Sequence, residues 1–548
     1  MLIRNLITII LYIPAFFLAM RYNMHMFQLN GYKNGEHLNR LKGNLKRQWL
    51  LVFIFILGCI RLFLTWFILD ILIYLTLLLV ILVYNAMKKL NTKKKLVYTA
   101  RVKRMVATVF TVSALIIVPA VIFLDPGRLS GVFAILVGAQ LLMDVIANII
   151  NHPVEWGVRQ YYINDAKRML RESPNLKIIG VTGSYGKTSV KFYLQTLLKD
   201  SFNVLVTPES YNTPMGVVRT IRESLKSTHE IFVCEMGARH VGDIKELCDI
   251  VHPHHGLITS IGPQHLETFF NMDNIKNTKF ELADALPDNG MLFLNGDNEY
   301  IREKAADYKN VVFYRTKFPE AEIPGNALSD PMKTSGDDRV GNTVIENNGY
   351  VAGNIRVSQM GTDFTVTAPD GSSESYQMRL IGAHNVINVV GAIAVANRLG
   401  IPLSGLKIPV RRLQSVEHRM QLREHGLVTI IDDAYNSNPV GSKAAVETLK
   451  LFDGIRILVT PGMVELGDKE EEYNYKFGIY AAKCCDYILL IGKNRTKPIY
   501  DGVLSEGFPE DKLKVFDKLE EALACAYEIK GQGHKYILLE NDLPDNYR

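Results

Sequence analysis

The chain has 548 residues, a formal net charge of +6 and 48% hydrophobic residues, with a mean hydropathy of +0.06. That length predicts about three or four folded units, and an apolar excess concentrated in residues 1–150 excludes a chain that is soluble throughout. The six cysteines (Cys59, Cys234, Cys248, Cys484, Cys485 and Cys525) lie in apolar runs with no C-x-x-C spacing, which excludes a zinc ribbon or a disulfide framework and reads as reduced core residues.

Residues 6–20, 50–84, 105–124 and 129–150 are apolar runs, to be compared with the about 20 residues that a membrane-crossing helix needs. The second run is too long for one ordinary helix, and Asp70 near its middle predicts a tight hairpin of two spans, giving five in all, the alternative being one long span with a buried charge. Residues 21–48 and 86–104 are rich in Lys and Arg, and positive loops lie on the cytoplasmic side. Five spans then put the N-terminus outside and everything after Ile150 in the cytoplasm, so the expected location is the cytoplasmic membrane, multi-pass. The basic loops read as topology determinants attracted to lipid headgroups, with no nucleic-acid partner expected. Residues 151–176 carry Trp156, Tyr161 and Tyr162 and read as an amphipathic juxtamembrane linker.

An apolar strand (Ile178, Ile179, Val181) then runs into VTGSYGKTS, residues 181–189, and a helix opening at Lys187. The glycine-rich turn lets backbone amides of Gly183, Ser184, Gly186 and Ser189 point into one concavity at the positive end of a helix and hold phosphate. Lys187 adds a cation for the outer phosphates and Thr188 a hydroxyl ligand for Mg²⁺. The common P-loop glycine is missing, because position 181 is Val, and the motif is the shorter T-G-x-x-G-K-T.

Further apolar stretches at 203–208, 230–238, 255–263 and 290–297 alternate with helical ones. That order predicts a parallel sheet covered on both faces, with ligands collecting at the carboxyl ends of its strands. Glu235 and His265 fall at such ends and suit magnesium coordination beside the nucleotide. The cluster His252 to His255 sits at a helix-to-strand junction and reads as surface. Residues 327–378 turn polar and rich in Gly and Asn, predicting antiparallel hairpins inserted in the central domain. From Pro402 the strand-like runs LVTIIDDA, IRILVTPG, YILLIG and YILLEN announce another α/β unit.

The expected fold is therefore α/β: N-terminal transmembrane helices (1–150), the linker (151–176), a P-loop parallel-sheet ATPase domain (177–401, with the β-rich insertion 327–378) and a smaller C-terminal Rossmann-like α/β domain (402–548).

Nine ordered motifs carry a family resemblance: VTGSYGKTS, NTPMGV, EMGARHVGDI, ITSIGPQHLETF, NTKFELADALP, LNGDN, GAHNVINVVGAIAVA, HRMQ and IDDAYNSNP. In these the chain resembles the Mur ligase family of ATP-dependent amide-forming enzymes, most closely the branch that adds D-alanyl-D-alanine to a muramoyl tripeptide. The resemblance implies ATP and magnesium as cofactors, with Lys187 and Thr188 on phosphate and metal and Glu235 and His265 completing the coordination. Lys279 stands where many members carry a carbamylated lysine that holds a second magnesium. Asn385 and Asn388 stand at the adenine positions, Arg419 and Asp433 at those reaching ATP from the C-terminal domain, and Asn212, Tyr435 and Asn436 at substrate positions. Lys187, Lys279 and His265 would be the catalytic set.

Two features depart from the family pattern. Membrane helices replace the soluble domain that holds a uridine diphosphate, which implies a lipid-linked envelope precursor as the carboxylate substrate, with an amino acid or dipeptide as the amine. The C-terminal stretch LLENDLPDNYR carries Glu540, Asp542 and Asp545 where relatives have a basic stretch. The alternative readings are a poly-γ-glutamate synthase-like ligase of the same superfamily, and an inactive membrane scaffold on a ligase fold.

Overall fold

The computed structural model describes residues 2–44, 48–64, 66–87, 95–317, 349–435, 437–531 and 533–542. Asn436, Asp545, residues 327–348 of the expected insertion and several of the basic loop residues lie outside the described residues. The chain divides into two compact units, one reaching Tyr161 and the other starting at Tyr162.

The first unit is helical: Leu2–Leu29, Asn34–Asn44, Trp49–Phe63, Phe67–Met87, Ala100–Phe123, Pro126–Gly138 and the start of Gln140–Arg171. Against the five spans expected, length and apolar content single out fewer helices. Among the described residues, two helices are long and apolar enough to cross a membrane, Ile68–Ala86 and Ala100–Phe123. A third arises only if Gly127–Gly138 and Gln140–Arg171, bent by 71° at their junction, count as one span. Trp49–Phe63, with 15 residues, extends about 22 Å, short of the about 30 Å of a hydrocarbon core.

The expected break in the second apolar run falls just before Asp70. The helix before it ends at Phe63, and Asp70 sits in the first turn of Phe67–Met87, fully buried. There its carboxylate receives Arg61 Nε at 2.9 Å, Arg61 Nη2 at 3.2 Å and the Ser130 hydroxyl at 2.8 Å. A charge pair with a hydroxyl donor is the form in which ionised groups survive in an apolar interior. Beside it, helices Trp49–Phe63 and Pro126–Gly138 meet backbone to backbone: a Cβ on Gly58 would stand 2.7 Å from the Gly131 carbonyl, and one on Gly138 2.6 Å from that of Leu51.

The helix Gln140–Arg171 spans the expected linker without interruption. In the second unit its Ile163 and Ala166 are buried with Leu176, Ile178 and Phe232, while Arg222 stacks 4.2 Å over the Tyr162 ring and bonds Asp165 at 2.7 Å. Trp156 and Tyr161 are exposed.

The second unit holds two sheets. The first has nine strands: β1 (Lys177–Thr182), β2 (Val204–Val206), β3 (Ile231–Glu235), β4 (His255–Ile258), β5 (Leu292–Asn295), β6 (Val311–Thr316), β7 (Gly349–Ser358), β8 (Gly361–Thr367) and β9 (Ser373–Met378). Their order is β2-β3-β1-β4-β5-β6-β7-β8-β9. Pairing is parallel from β2 to β7, and β7-β8-β9 are antiparallel. The described part of the expected insertion thus lengthens this sheet at one edge. The continuous burial of β3 is what a strand covered on both faces requires.

The second sheet comprises β10 (Gln421–His425), β11 (Val428–Asp433), β12 (Ile455–Thr460), β13 (Tyr487–Ile491), β14 (Leu513–Phe516) and β15 (Lys535–Glu540), in the order β10-β11-β15-β12-β13-β14. Only β10 is antiparallel to its neighbour. The boundary expected at Pro402 moves: Leu403, Leu406, Val410 and Leu413 are buried in the core of the first sheet, with Val190 and Tyr193. The helix Ala383–Arg398 ends before Pro402, but apolar burial continues past it. All six cysteines are free thiols, four of them buried.

Candidate active site

The carboxyl ends of β1, β3 and β4 converge on the glycine-rich turn. Gly183 has φ 145° and Gly186 φ 81°, backbone shapes that glycine alone adopts without strain. A Cβ on Gly183 would stand 2.0 Å from Thr259 Oγ1, and one on Gly186 2.6 Å from Asn388 Oδ1. The turn is tied to the end of β4, since the Ser184 amide donates to the Ser260 carbonyl (2.6 Å) and the Tyr185 amide to Ser260 Oγ (3.1 Å). Ser184 Oγ donates to the Gly262 carbonyl at 3.0 Å. Ser184 therefore shapes the loop through its side chain and amide.

Helix Lys187–Leu198 starts from this turn, its positive end directed at it. The Lys187 ammonium donates to the carbonyls of Gly183 (2.7 Å) and Ser184 (3.0 Å). Burial lowers its pKa to about 8, against the pull of Glu235, with Arg419 adding repulsion. Glu235, at the end of β3, is buried. Its Oε1 accepts from Thr188 Oγ1 and Asn212 Nδ2, each at 3.0 Å, and Lys191 Nζ lies 3.0 Å from its Oε2. Asn212, expected at a substrate position, orients this carboxylate. Lys191 escaped the sequence reading because a lysine in an amphipathic helix normally faces solvent; the signal was its place four residues after Lys187, on one helix face.

His265, at φ 54°, directs Nδ1 at Glu465 Oε2, 2.5 Å away in the loop after β12. Burial lowers its pKa, and Glu465 opposes that. Among the described residues no group of three or more His, Cys, Asp and Glu side chains forms a metal cluster. Of the histidine cluster, His254 Nδ1 accepts from the Ile178 amide (3.0 Å) and His255 Nδ1 from the Met291 amide (3.1 Å).

Lys279 lies on helix Met272–Asp284, buried, its pKa far below the ordinary value through burial and then through repulsion by Lys187. Asn385 is also buried, and its amide is spent inside the fold: Oδ1 accepts from the Tyr193 hydroxyl (2.9 Å) and Nδ2 donates to the Ile381 carbonyl (2.8 Å). Asn385 stands at the expected adenine position, on the first turns of helix Ala383–Arg398. Asn388 packs beneath Gly186. Ser189 is buried at the first turn.

Across from the turn stands the second sheet. The Arg419 guanidinium lies 4.6 Å over the Tyr435 ring, and Asp433, whose pKa burial raises to about 6 against Arg419, accepts from the Met420 amide at 3.2 Å. A cavity of about 1030 Å³ is lined by Thr188, Tyr193 and Thr196 on one side and by Arg379, Arg419 and Tyr435 on the other. Glu540, one of the acidic residues standing where relatives have a basic stretch, is buried at the end of the central strand β15. It accepts from Ser437 Oγ, from Ser442 Oγ at 2.6 Å and from Thr460 Oγ1 at 3.1 Å. Burial raises its pKa to about 7.

A phosphate-binding turn with a lysine, a hydroxyl and a carboxylate at the ends of parallel strands, facing a second α/β sheet across a cavity, defines a nucleotide-dependent two-domain enzyme. Residues 181–396 match the Mur ligase middle domain and residues 418–539 the Mur ligase, glutamate ligase domain. Together these matches span more than half of the chain, which belongs to the Mur ligase family of ATP-dependent carboxylate–amine ligases. The UDP-N-acetylmuramoyl-tripeptide--D-alanyl-D-alanine ligase of Escherichia coli (strain K12) is 29% identical over 376 residues, 68% of this chain and 75% of that one. The enzyme of the same name from Bacillus subtilis (strain 168) is 29% identical over 378 residues, 67% and 73%. Among solved structures, MurF from Acinetobacter baumannii superposes with a TM-score of 0.59 at 25% identity, covering 71% of this chain and 78% of that one. MurF ligase from Thermotoga maritima in complex with ADP gives 0.58 at 24%, covering 70% and 80%.

Proposed function

We propose that this chain is a membrane-anchored Mur-type ligase of cell-envelope synthesis that joins an amino acid or dipeptide amine to the carboxylate of a lipid-linked precursor. The observation carrying the reading is the convergence of Lys187, Thr188 and Glu235 on the glycine-rich turn, opposite Arg419 and Tyr435 across one cavity. ATP phosphorylates the carboxylate, and the amine displaces phosphate from the acyl phosphate. Catalysis of such a reaction is mostly positioning and charge neutralisation.

In this reading Lys187 leaves its loop carbonyls for the transferred phosphoryl group, and the guanidinium of Arg419 and the carboxylate of Asp433 engage the nucleotide from the second sheet. Glu235 and Thr188 fit a magnesium ion, for their oxygens are hard donors 3.0 Å apart. Such an ion would neutralise phosphate charge. Lys279, its ammonium disfavoured, has the neutral amine that carbamylation by carbon dioxide requires. The carbamate would be the further oxygen ligand that the side chains do not otherwise supply.

The apolar helices of the first unit support a site of action at the cytoplasmic membrane, with the catalytic domains in the cytoplasm and the acceptor drawn from the same bilayer. The test is a mass-spectrometric search for amide products in membranes supplied with ATP and a panel of amino acids and dipeptides. Lys187→Ala is expected to lower product formation by roughly 10²–10³-fold while the protein stays in the membrane fraction; unchanged ligation by purified variant overturns the assignment.

A further inference from the structure

The two oxygens of Glu235 are not equivalent. Oε2 is ion-paired with the ammonium of Lys191, 3.0 Å away with both side chains buried, though not in hydrogen-bond alignment. Oε1 faces only uncharged donors, the Thr188 hydroxyl and the Asn212 amide. A hydroxyl and an amide can turn or yield to a cation. Lys191 cannot yield as easily, since it is wholly buried, its ammonium lies 4.4 Å from the Phe192 ring, and its other partner is the backbone carbonyl of Glu209. Leaving Glu235 would strand a charge in the interior.

We propose that Lys191 is the residue that sets which cation the nucleotide site accepts. By holding Oε2 it restricts Glu235 to one-oxygen ligation through Oε1, on the side of Thr188. Small octahedral Mg²⁺ is served by a single carboxylate oxygen, whereas the larger Ca²⁺ readily takes both oxygens of a carboxylate in its wider shell. A lysine lying along one edge of the carboxylate therefore favours Mg²⁺ by removing an option only Ca²⁺ exploits. Lys191 is a positioning residue in this scheme and touches no substrate. The inference rests on the reading that Glu235 and Thr188 hold the nucleotide's cation.

The test uses the full-length protein in detergent micelles and a fluorescent ATP analogue, with binding titrated by MgCl₂ or CaCl₂ so that turnover is not the readout. The wild type is expected to prefer Mg²⁺. Lys191→Met adds net negative charge at the site and so tightens both ions, but it frees Oε2 as well, and Ca²⁺ should gain about tenfold more than Mg²⁺. Lys191→Arg restores a cation on Oε2 and should restore the preference. Equal tightening of both ions by Lys191→Met would show that the lysine acts only as a charge, and the proposal falls.

Should the methionine variant not fold, infrared difference spectra of the wild type on adding Mg²⁺, with Glu235→Gln as blank, read the same point. A carboxylate band splitting diagnostic of one-oxygen ligation supports the proposal, and one diagnostic of two-oxygen ligation overturns it. If Glu235→Gln leaves the cation dependence of analogue binding intact, the metal reading itself is wrong, a result distinct from either outcome for Lys191.

Discussion

Replacing Glu540 by glutamine should make the protein more stable at alkaline pH. In the folded chain burial holds this carboxyl at about 7, against 4.5 when free. Between those values the folded state keeps a proton that the unfolded state has released, so stability falls as pH rises through the window and stays lower above it. At 1.36 kcal/mol per unit the loss reaches roughly 3 kcal/mol. The glutamine side chain would still accept from Ser437 and Ser442 through its amide oxygen, and its NH₂ would donate to Thr460 Oγ1, whose hydroxyl turns to accept. The contacts persist while the titration disappears.

The assay is thermal unfolding of wild type and Glu540→Gln in detergent from pH 5 to 9. The curves should converge near pH 5 and separate progressively, the variant melting higher at pH 9. Asp433, raised to about 6, contributes a loss of the same sign and remains in the variant, so its slope is reduced without vanishing. Parallel curves, or a variant less stable at pH 9, refute the reasoning and mean that the hydroxyls stabilise the ionised form better than burial opposes it.

Two further predictions rest on packing. Arg61→Met leaves Asp70 charged and buried without the guanidinium that pairs it, and should cost about 3–5 kcal/mol; adding Asp70→Leu should recover most of it, measured by thermal unfolding in detergent. Gly183→Ala drives a Cβ to 2.0 Å from Thr259 Oγ1 at φ 145°, so binding of an ATP analogue should drop below detection in equilibrium titration. Tight binding by this variant would mean that the turn relaxes at little cost.

The phosphate turn was legible in the sequence because its glycines, Lys187 and Thr188 are contiguous and each answers to a local requirement. The parallel strands were legible for a similar reason, being short apolar runs bounded by glycine and polar residues. What stayed hidden depends on contacts distant along the chain. That Asn212 bonds Glu235 and Asn385 bonds Tyr193 depends on neighbours 23 and 192 residues away. The burial of Glu540 could not be read from LLEND, because its three hydroxyl partners are all remote in sequence. Composition likewise missed the break near Ala139, since an apolar run of sufficient length says nothing about whether its helix is straight.

The glycine seam between Trp49–Phe63 and Pro126–Gly138 bears on how this chain can change over time. At positions 58 and 138 even one methyl group meets backbone atoms closer than 3 Å, and a backbone cannot step aside as a side chain can. Neighbours such as Phe53, Ile56 and Ile60, exposed on the same helix, are free to drift among apolar residues. Divergence in this region is thus channelled to the helix flanks, and homologues that differ freely elsewhere in the first unit should share its three small positions.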